Sequence, residues 1–275
     1  MKVDLHAHST ASDGWLPIQE LCDRAAKCGV DLFCVTDHDT LPTANLQVTG
    51  SAMRVLPGIE LSAQWRGRVV HVLGLNLGNR PDGGLASGVA ELRQRRDERG
   101  QTIGERLRKR GIEGAYEGAK RIAGAGVLGR PHFARFLVET GKARTVDDAF
   151  RRWLGDTAMS NSALTWAPVE DAVRWIVEDG GTAVLAHPAK YQFTHSKLRE
   201  LIECFKEAGG SGLEVACGMQ TPATTRQLAE LCRRYDMSAS AGSDFHGGPQ
   251  DHARLGQPGP FPEDLTPVWS TWALS

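Results

Sequence analysis

Short apolar runs alternating with amphipathic helical stretches constrain this 275-residue chain more than any other feature. Residues 3–8 read as a strand, and 16–27 as a helix with Pro17 in its first turn and Gly29 closing it. Further strands are expected over 32–36, 54–56 and 69–75. The alternation resumes near residue 165. There, helices over 168–178, 197–208 and 222–235, the last with Thr221 as N-cap, separate strands over 182–186, 212–216 and 238–242. Strands joined through helices pair in parallel, because the crossover returns the chain to the same end of the sheet. The expected fold class is therefore α/β and barrel-like, with the strand C-termini sharing one mouth.

The middle of the chain has another texture. From about 80 to 161 the pattern is helical, with helices over 91–110, 131–139 and 146–154 and Thr145 capping the last above an acidic first turn. This predicts a discontinuous barrel domain over 1–79 and 162–256, a helical insertion over 80–161 acting as a substrate-binding lid, and a Pro-rich surface tail over 257–275. The 32 basic and 33 acidic residues leave a net charge of −1, which excludes a globally basic nucleic-acid binder. No duplex DNA partner is expected, although one locally positive pocket still suits a small nucleotide. No apolar core of a signal peptide follows Met1, and no run approaches the ~20 apolar residues of a membrane span. The expected compartment is cytoplasmic, and the expected state a monomer or small homo-oligomer. Six cysteines without a CxxC pair read as buried free thiols.

The nine histidines carry the chemistry. His6 and His8, two apart on a strand, leave the same face. His38, His187 and His246 follow strand ends, and His71 lies on a strand. Asp13, Glu60 and Asp244 fall at the same level, so nine candidate ligands reach the barrel mouth. Six imidazoles and three carboxylates without a thiolate suit Mn²⁺, with Fe²⁺ or Zn²⁺ as alternatives. At three or four ligands per ion with one bridging carboxylate, the set suffices for three divalent ions. Six positive charges against three negative ones leave an excess that fits a phosphate dianion.

These residues resemble the PHP (polymerase and histidinol phosphatase) family. Asp4-Leu5-His6-Ala7-His8-Ser9 with Ser12-Asp13-Gly14 looks like its first motif, and Thr36-Asp37-His38-Asp39 like its second. Gly58-Ile59-Glu60, Ala186-His187-Pro188 and Gly242-Ser243-Asp244-Phe245-His246 look like the later ones. The resemblance implies a distorted (β/α)7 barrel with a trinuclear centre. His6, His8, Glu60 and Asp244 would hold one ion, and Asp13, His38 and His187 a second. Glu60, His71 and His246 would hold the third, with Glu60 bridging. The insertion motif Gly129-Arg130-Pro131-His132 is similar to the stand-alone bacterial branch of 3′,5′-nucleoside bisphosphate phosphatases and short-RNA 5′-to-3′ exoribonucleases.

Substrate contacts are expected from Arg130 and His132 at a helix start, from Arg99 on the basic stretch 91–110, and from Lys190 three residues after His187. Trp65, Trp166 and Tyr191 are candidates for stacking on a base. The expected reaction removes the 3′-phosphate of a nucleoside 3′,5′-bisphosphate. A metal-bound hydroxide would attack phosphorus, since bound divalent ions draw water's pKa from ~15.7 toward ~7, with His132 a candidate acid. The alternatives are 5′-to-3′ trimming of short 5′-phosphorylated RNA, a histidinol-phosphatase-like activity, C–N amidohydrolysis, and a non-catalytic nucleotide-binding module.

Overall fold

A computed structural model describes residues 1–41, 46–78, 80, 83–155, 166–249 and 252–273. The expected domain boundaries at 79 and 161–162 lie outside these residues. Eight strands are described: β1 (Val3–Asp4), β2 (Leu32–Val35), β3 (Arg54–Trp65), β4 (Arg68–Leu75), β5 (Ala167–Pro168), β6 (Thr182–Leu185), β7 (Gly212–Cys217) and β8 (Ser238–Gly242). Seven run in the order β1-β2-β3-β4-β6-β7-β8, and β5 pairs with β3. Backbone hydrogen bonds from Leu5 N–H to the Ala241 carbonyl (3.0 Å) and from His8 N–H to the Phe245 carbonyl (2.9 Å) bring β8 back to β1. The result is a distorted, nearly closed barrel.

Two departures from the expected strands have local causes. β3 runs on through Pro57 and Gly58, which read as its end in the sequence. Pro57 is tolerated because it pairs with Val35, the last residue of β2, where few further ladder donors are needed. β4 is antiparallel to β3 and β6, not parallel. No helix intervenes: Arg66 (φ 45°) and Gly67 (φ 74°) make a two-residue hairpin turn with two left-handed residues, the turn that matches strand twist.

Helices α1 (Ile18–Lys27), α6 (Val169–Glu178), α7 (His195–Glu207) and α8 (Pro222–Tyr235) cover the sheet. α6 shows why: Val169, Ala172, Val173 and Ile176 recur at helical spacing and are all fully buried against the barrel. Between β4 and β5 come α2 (Gly84–Lys109), α3 (Ala115–Ala123), α4 (Arg130–Glu139) and α5 (Val146–Ala149), the last continuing as a wider helical turn over Phe150–Leu154. From Ile103 to Leu154 these helices enclose a separate apolar core that includes Leu107, Phe133 and Leu137.

The C-terminal residues are not a surface tail. Leu265 and Val268 are buried, and Ala239 on β8 donates its N–H to the Thr266 carbonyl at 2.8 Å. Apolar side chains in a Pro-rich stretch here close the barrel bottom. The cysteines are all free, but Cys28 is exposed and Cys204 only half-buried.

Candidate metal centre

At the mouth, five of the expected ligands surround Glu60, and Asp13, Asp244 and His246 stand against members of that group. Its Oε1 lies 2.8 Å from His71 Nδ1 and 2.9 Å from His187 Nε2. Its Oε2 lies 3.1 Å from His38 Nδ1, 3.2 Å from His8 Nε2 and 3.4 Å from His6 Nε2. Asp244 Oδ1 stands 3.3 Å from His8 Nε2 and 3.4 Å from His6 Nε2. Asp13 Oδ1 is 3.4 Å from His246 Nε2, and its Oδ2 is 3.8 Å from His38 Nε2. The turns leaving β2, β6 and β8 place these groups with Asp39, His187 and Asp244 at φ 44°, 27° and 52°. Non-glycine residues with positive φ cost energy, and they cluster where a site over-determines the backbone.

Several of these atoms are buried without a hydrogen-bond partner: His6 Nε2, His8 Nε2, His38 Nδ1 and Glu60 Oε2, together with His187 Nδ1. Buried polar atoms are normally satisfied, so four orphans around one point call for a cation. Electrostatics agrees. Burial pushes the Glu60 carboxyl up, yet His38, His71 and His6 overcome this and hold it well below the usual carboxylate range. Burial likewise opposes charge on His8, but Asp244 and Glu60 raise it to about 10. The donor set thus stabilises concentrated positive charge. Its imidazoles and carboxylates fit divalent first-row ions. Cys217 also stands near His6 and Glu214, but burial holds its thiol well above the usual range, so it remains protonated.

Proximity groups the ligands differently from the arrangement the resemblance implies. His6, His8 and Glu60 cluster as expected. Asp13 and His38, however, gather with His8 and His246, while His187 joins His6 and Asp244 and touches the Glu60–His71 pair. His187 and His246 therefore exchange places. The cause is the closure of the barrel: Trp15 donates its N–H to the His246 carbonyl at 2.8 Å, which lays His246 on the Asp13 loop.

Supporting residues that the sequence did not single out as ligands hold this set. Glu214 on β7, fully buried, accepts from His6 Nδ1 at 2.9 Å and from the His187 N–H at 2.6 Å. Asp37 accepts from Ser9 N–H (2.8 Å) and from the Ser12 hydroxyl (2.5 Å), tying the Asp13 loop to β2. Arg96, also buried, donates from Nε to Asp39 at 2.5 Å and from Nη2 to the Ser62 hydroxyl at 2.8 Å. It links α2 of the insertion to the loop carrying His38. Arg135 on α4 donates to the Asp13 and Gly14 carbonyls and lies over the Trp15 ring. An acidic residue at an inward position of an apolar strand was the one available signal for Glu214.

The expected substrate residues are spread over α2, the first turn of α4 and the turn after β6. Arg130 begins α4 with its guanidinium 5.7 Å from the Phe150 ring centre, and Arg99 sits 5.6 Å from that of Trp166. Lys190 pairs with Asp244. His132 is buried and accepts the Gly129 N–H on Nδ1 at 2.9 Å. Burial lowers it to about 4, so it is neutral near pH 7 and unsuited to deliver a proton as an imidazolium. Its remaining proton sits on Nε2. Trp65 and Trp166 are core residues at 6% and 8% exposure, and the Tyr191 hydroxyl is engaged by the Ala186 carbonyl (2.7 Å) and the His71 N–H (2.9 Å). Among the described residues, no helix is long and apolar enough to cross a membrane.

The family model described as "PHP domain" matches residues 4–152. The 5′-3′ exoribonuclease Rnm of Salmonella typhimurium is 40% identical over 274 residues, covering 98% of this chain and 93% of that protein. The 3′,5′-nucleoside bisphosphate phosphatase of Chromobacterium violaceum is 36% identical over 271 residues, covering 97% and 95%. A solved structure described as an amidohydrolase from Chromobacterium violaceum, with bound sulfate and no metal, matches with a TM-score of 0.85 at 36% identity over 98% of this chain and 95% of that one.

Proposed function

Because the chain belongs to the PHP-domain family of metal-dependent phosphoesterases and is a phosphoric ester hydrolase, we propose that it cuts the O3′–P bond of a 5′-phosphorylated nucleotide. One reading is removal of the 3′-phosphate from a nucleoside 3′,5′-bisphosphate, as from adenosine 3′,5′-bisphosphate to AMP and phosphate. The second, favoured by the name of the Salmonella relative, is release of a 5′-nucleotide from short RNA. In both, water adds to phosphorus, O3′ leaves and takes a proton, and the upstream product is the same 5′-nucleotide.

The observation supporting this reading is the convergence of nine buried or half-buried candidate ligands at the barrel mouth, with Arg130 and His132 in the first turn of α4, the helix whose Arg135 donates to the Asp13 carbonyl. His6, His8, Glu60 and Asp244 would hold one ion, Asp13, His38 and His246 a second, and Glu60, His71 and His187 a third, with Mn²⁺ the first choice and Fe²⁺ or Zn²⁺ as alternatives. Such ions supply positive charge for phosphoryl oxygens and lower the pKa of water. Glu214 orients His6, and Tyr191 holds the His71 backbone. Arg130, the neutral Nε2–H of His132 and the N-terminus of α4 bind the 5′-phosphate. Arg99 adds positive charge on that side, and Lys190 sits beside the scissile phosphate.

The test is phosphate release with Mn²⁺ from adenosine 3′,5′-bisphosphate, beside AMP, histidinol phosphate and an aryl phosphate. Conversion of the bisphosphate to intact AMP is expected. Arg130→Ala is expected to weaken turnover of the bisphosphate at least tenfold more than that of the aryl phosphate, since a charge-assisted contact contributes about 1.5–3 kcal/mol. Equal losses on both would remove the 5′-phosphate from the reading.

A further inference from the structure

At the barrel mouth, the loops after β6, β7 and β8 line a cavity of about 530 Å³. That lies within the ~300–1,000 Å³ range of pockets that bury small ligands. His187, Asp244 and His246 form part of its wall, so one molecule can reach the centre and fill the cavity together. The insertion, by contrast, meets the barrel at Asp13, Gly14, Asp39 and Ser62, on or just after β1, β2 and β3. In the closed strand order β2, the middle of the three, lies across the barrel from β6 and β7.

The rest of the wall includes Met219, Thr224 and His252. The turn bearing Met219 is firmly held. Gly218 has φ 47°, and a Cβ there would come within 2.9 Å of the Ser243 carbonyl oxygen, so glycine is required. The Gln220 amide turns inward to the Val215 carbonyl and, at 2.7 Å, to the Thr225 hydroxyl. This leaves Met219 69% exposed on an ordered turn. A single exposed apolar side chain is ordinary on a surface. Here it borders a cavity that opens onto a buried, charged centre.

Charge indicates which part of a substrate belongs there. Lys190 is the only Lys or Arg among the described lining residues, and Asp244 engages it. Arg130, Arg99 and Arg135 all lie on the insertion. A second phosphate therefore goes to the insertion, whereas thioether, imidazole, methyl and hydroxyl groups suit an uncharged heterocycle. Methionine sulfur contacts aromatic rings favourably, and every base presents a π face.

The geometry points to this cavity as the subsite for the nucleoside downstream of the scissile phosphate. The assignment rests on the O3′–P reading and decides within it: a 5′-phosphorylated dinucleotide fills the cavity, and a bisphosphate has nothing to put there. Hydrolysis breaks the O3′–P bond, O3′ departs as a hydroxyl, and the downstream nucleotide is released as a 5′-monophosphate. That new 5′-phosphate is the group the insertion recognises, so a longer strand can re-enter for the next cut.

Steady-state kinetics on 5′-phosphorylated diadenylate and on adenosine 3′,5′-bisphosphate tests this, with wild type, Met219→Ala, His252→Ala and the double variant. We expect KM for the dinucleotide to rise roughly fivefold to tenfold in each single variant and further in the double, with bisphosphate turnover unchanged as the control for folding. Equal losses on both substrates would put the upstream base in the cavity and overturn the assignment. Unchanged dinucleotide kinetics would overturn it too. Wild-type turnover of the bisphosphate with none of the dinucleotide would refute the subsite and spare the phosphoesterase reading, whereas turnover of neither would refute both.

Discussion

Glu214→Gln is the most informative single change, because it alters one oxygen of a fully buried carboxylate. The wild-type carboxylate accepts two hydrogen bonds, from His6 Nδ1 at 2.9 Å and from the His187 N–H at 2.6 Å. A glutamine of the same shape has one acceptor oxygen and one amide that only donates. The backbone N–H cannot reverse its role, so the oxygen faces His187 and the amide faces His6. Nδ1 of His6 must then accept, which moves the ring proton to Nε2, the nitrogen that stands 3.4 Å from both Glu60 and Asp244. A protonated Nε2 cannot ligate a metal. Loss of such an orienting partner typically costs 10- to 100-fold in metal affinity, or about 1.4–2.8 kcal/mol. Chelator-competition titration with Mn²⁺ should show that loss at one class of site, with the others within a few-fold of wild type. The reasoning fails if Glu214→Gln binds every ion as tightly as wild type while circular dichroism shows it folded.

Three further outcomes follow from the same geometry. Arg96→Met should lower the unfolding free energy by about 3–5 kcal/mol, because it strands the buried Asp39 carboxylate; urea denaturation measures this, and a loss under 1 kcal/mol would show that Asp39 finds another partner. Gly242→Ala drives a Cβ into the His6 side chain and to 2.7 Å from its backbone nitrogen, so about 1–3 kcal/mol of stability should be lost together with Mn²⁺ binding; a variant with wild-type Tm and affinity would contradict this packing. His132 is held at about 4 in the fold against an ordinary 6.5, so the unfolded chain binds the extra proton first. Its contribution is complete above pH 6.5 and is lost as pH falls toward 4, to a limit of about 3 kcal/mol. His132→Gln should therefore flatten the stability profile between pH 7 and 4 relative to wild type, and parallel profiles would show that His132 titrates normally.

Sequence and structure divided the work along a physical line. The gathering of these side chains was legible because metal chemistry demands particular side chains, and a parallel barrel demands that they follow strand ends. His6 and His8 two apart on a strand, and Asp244 and His246 two apart after another, are local patterns that need no knowledge of the partner strands. The run of helices between β4 and β5 was legible from its change of periodicity, and the arginine-rich α2 from its charge. The β3–β4 hairpin was obscured because Pro57 and Gly58 look like punctuation wherever they occur, and only pairing with the end of β2 shows why they are tolerated.

The grouping of the ligands belonged to the tertiary structure alone. Asp13 and His246 meet because the last strand closes on the first, a contact across more than two hundred residues that no local pattern encodes. Glu214 and Arg96 were silent for the same reason. A glutamate on an apolar strand and one arginine among many acquire their roles only when burial removes water and leaves each a pair of hydrogen-bond partners, His6 and His187 for one, Asp39 and Ser62 for the other. Sequence determined which chemistry the chain can support, since that depends on side-chain type and spacing. Closure of the barrel decided which candidate ligands lie together, since that depends on distances set by strands far apart in the chain.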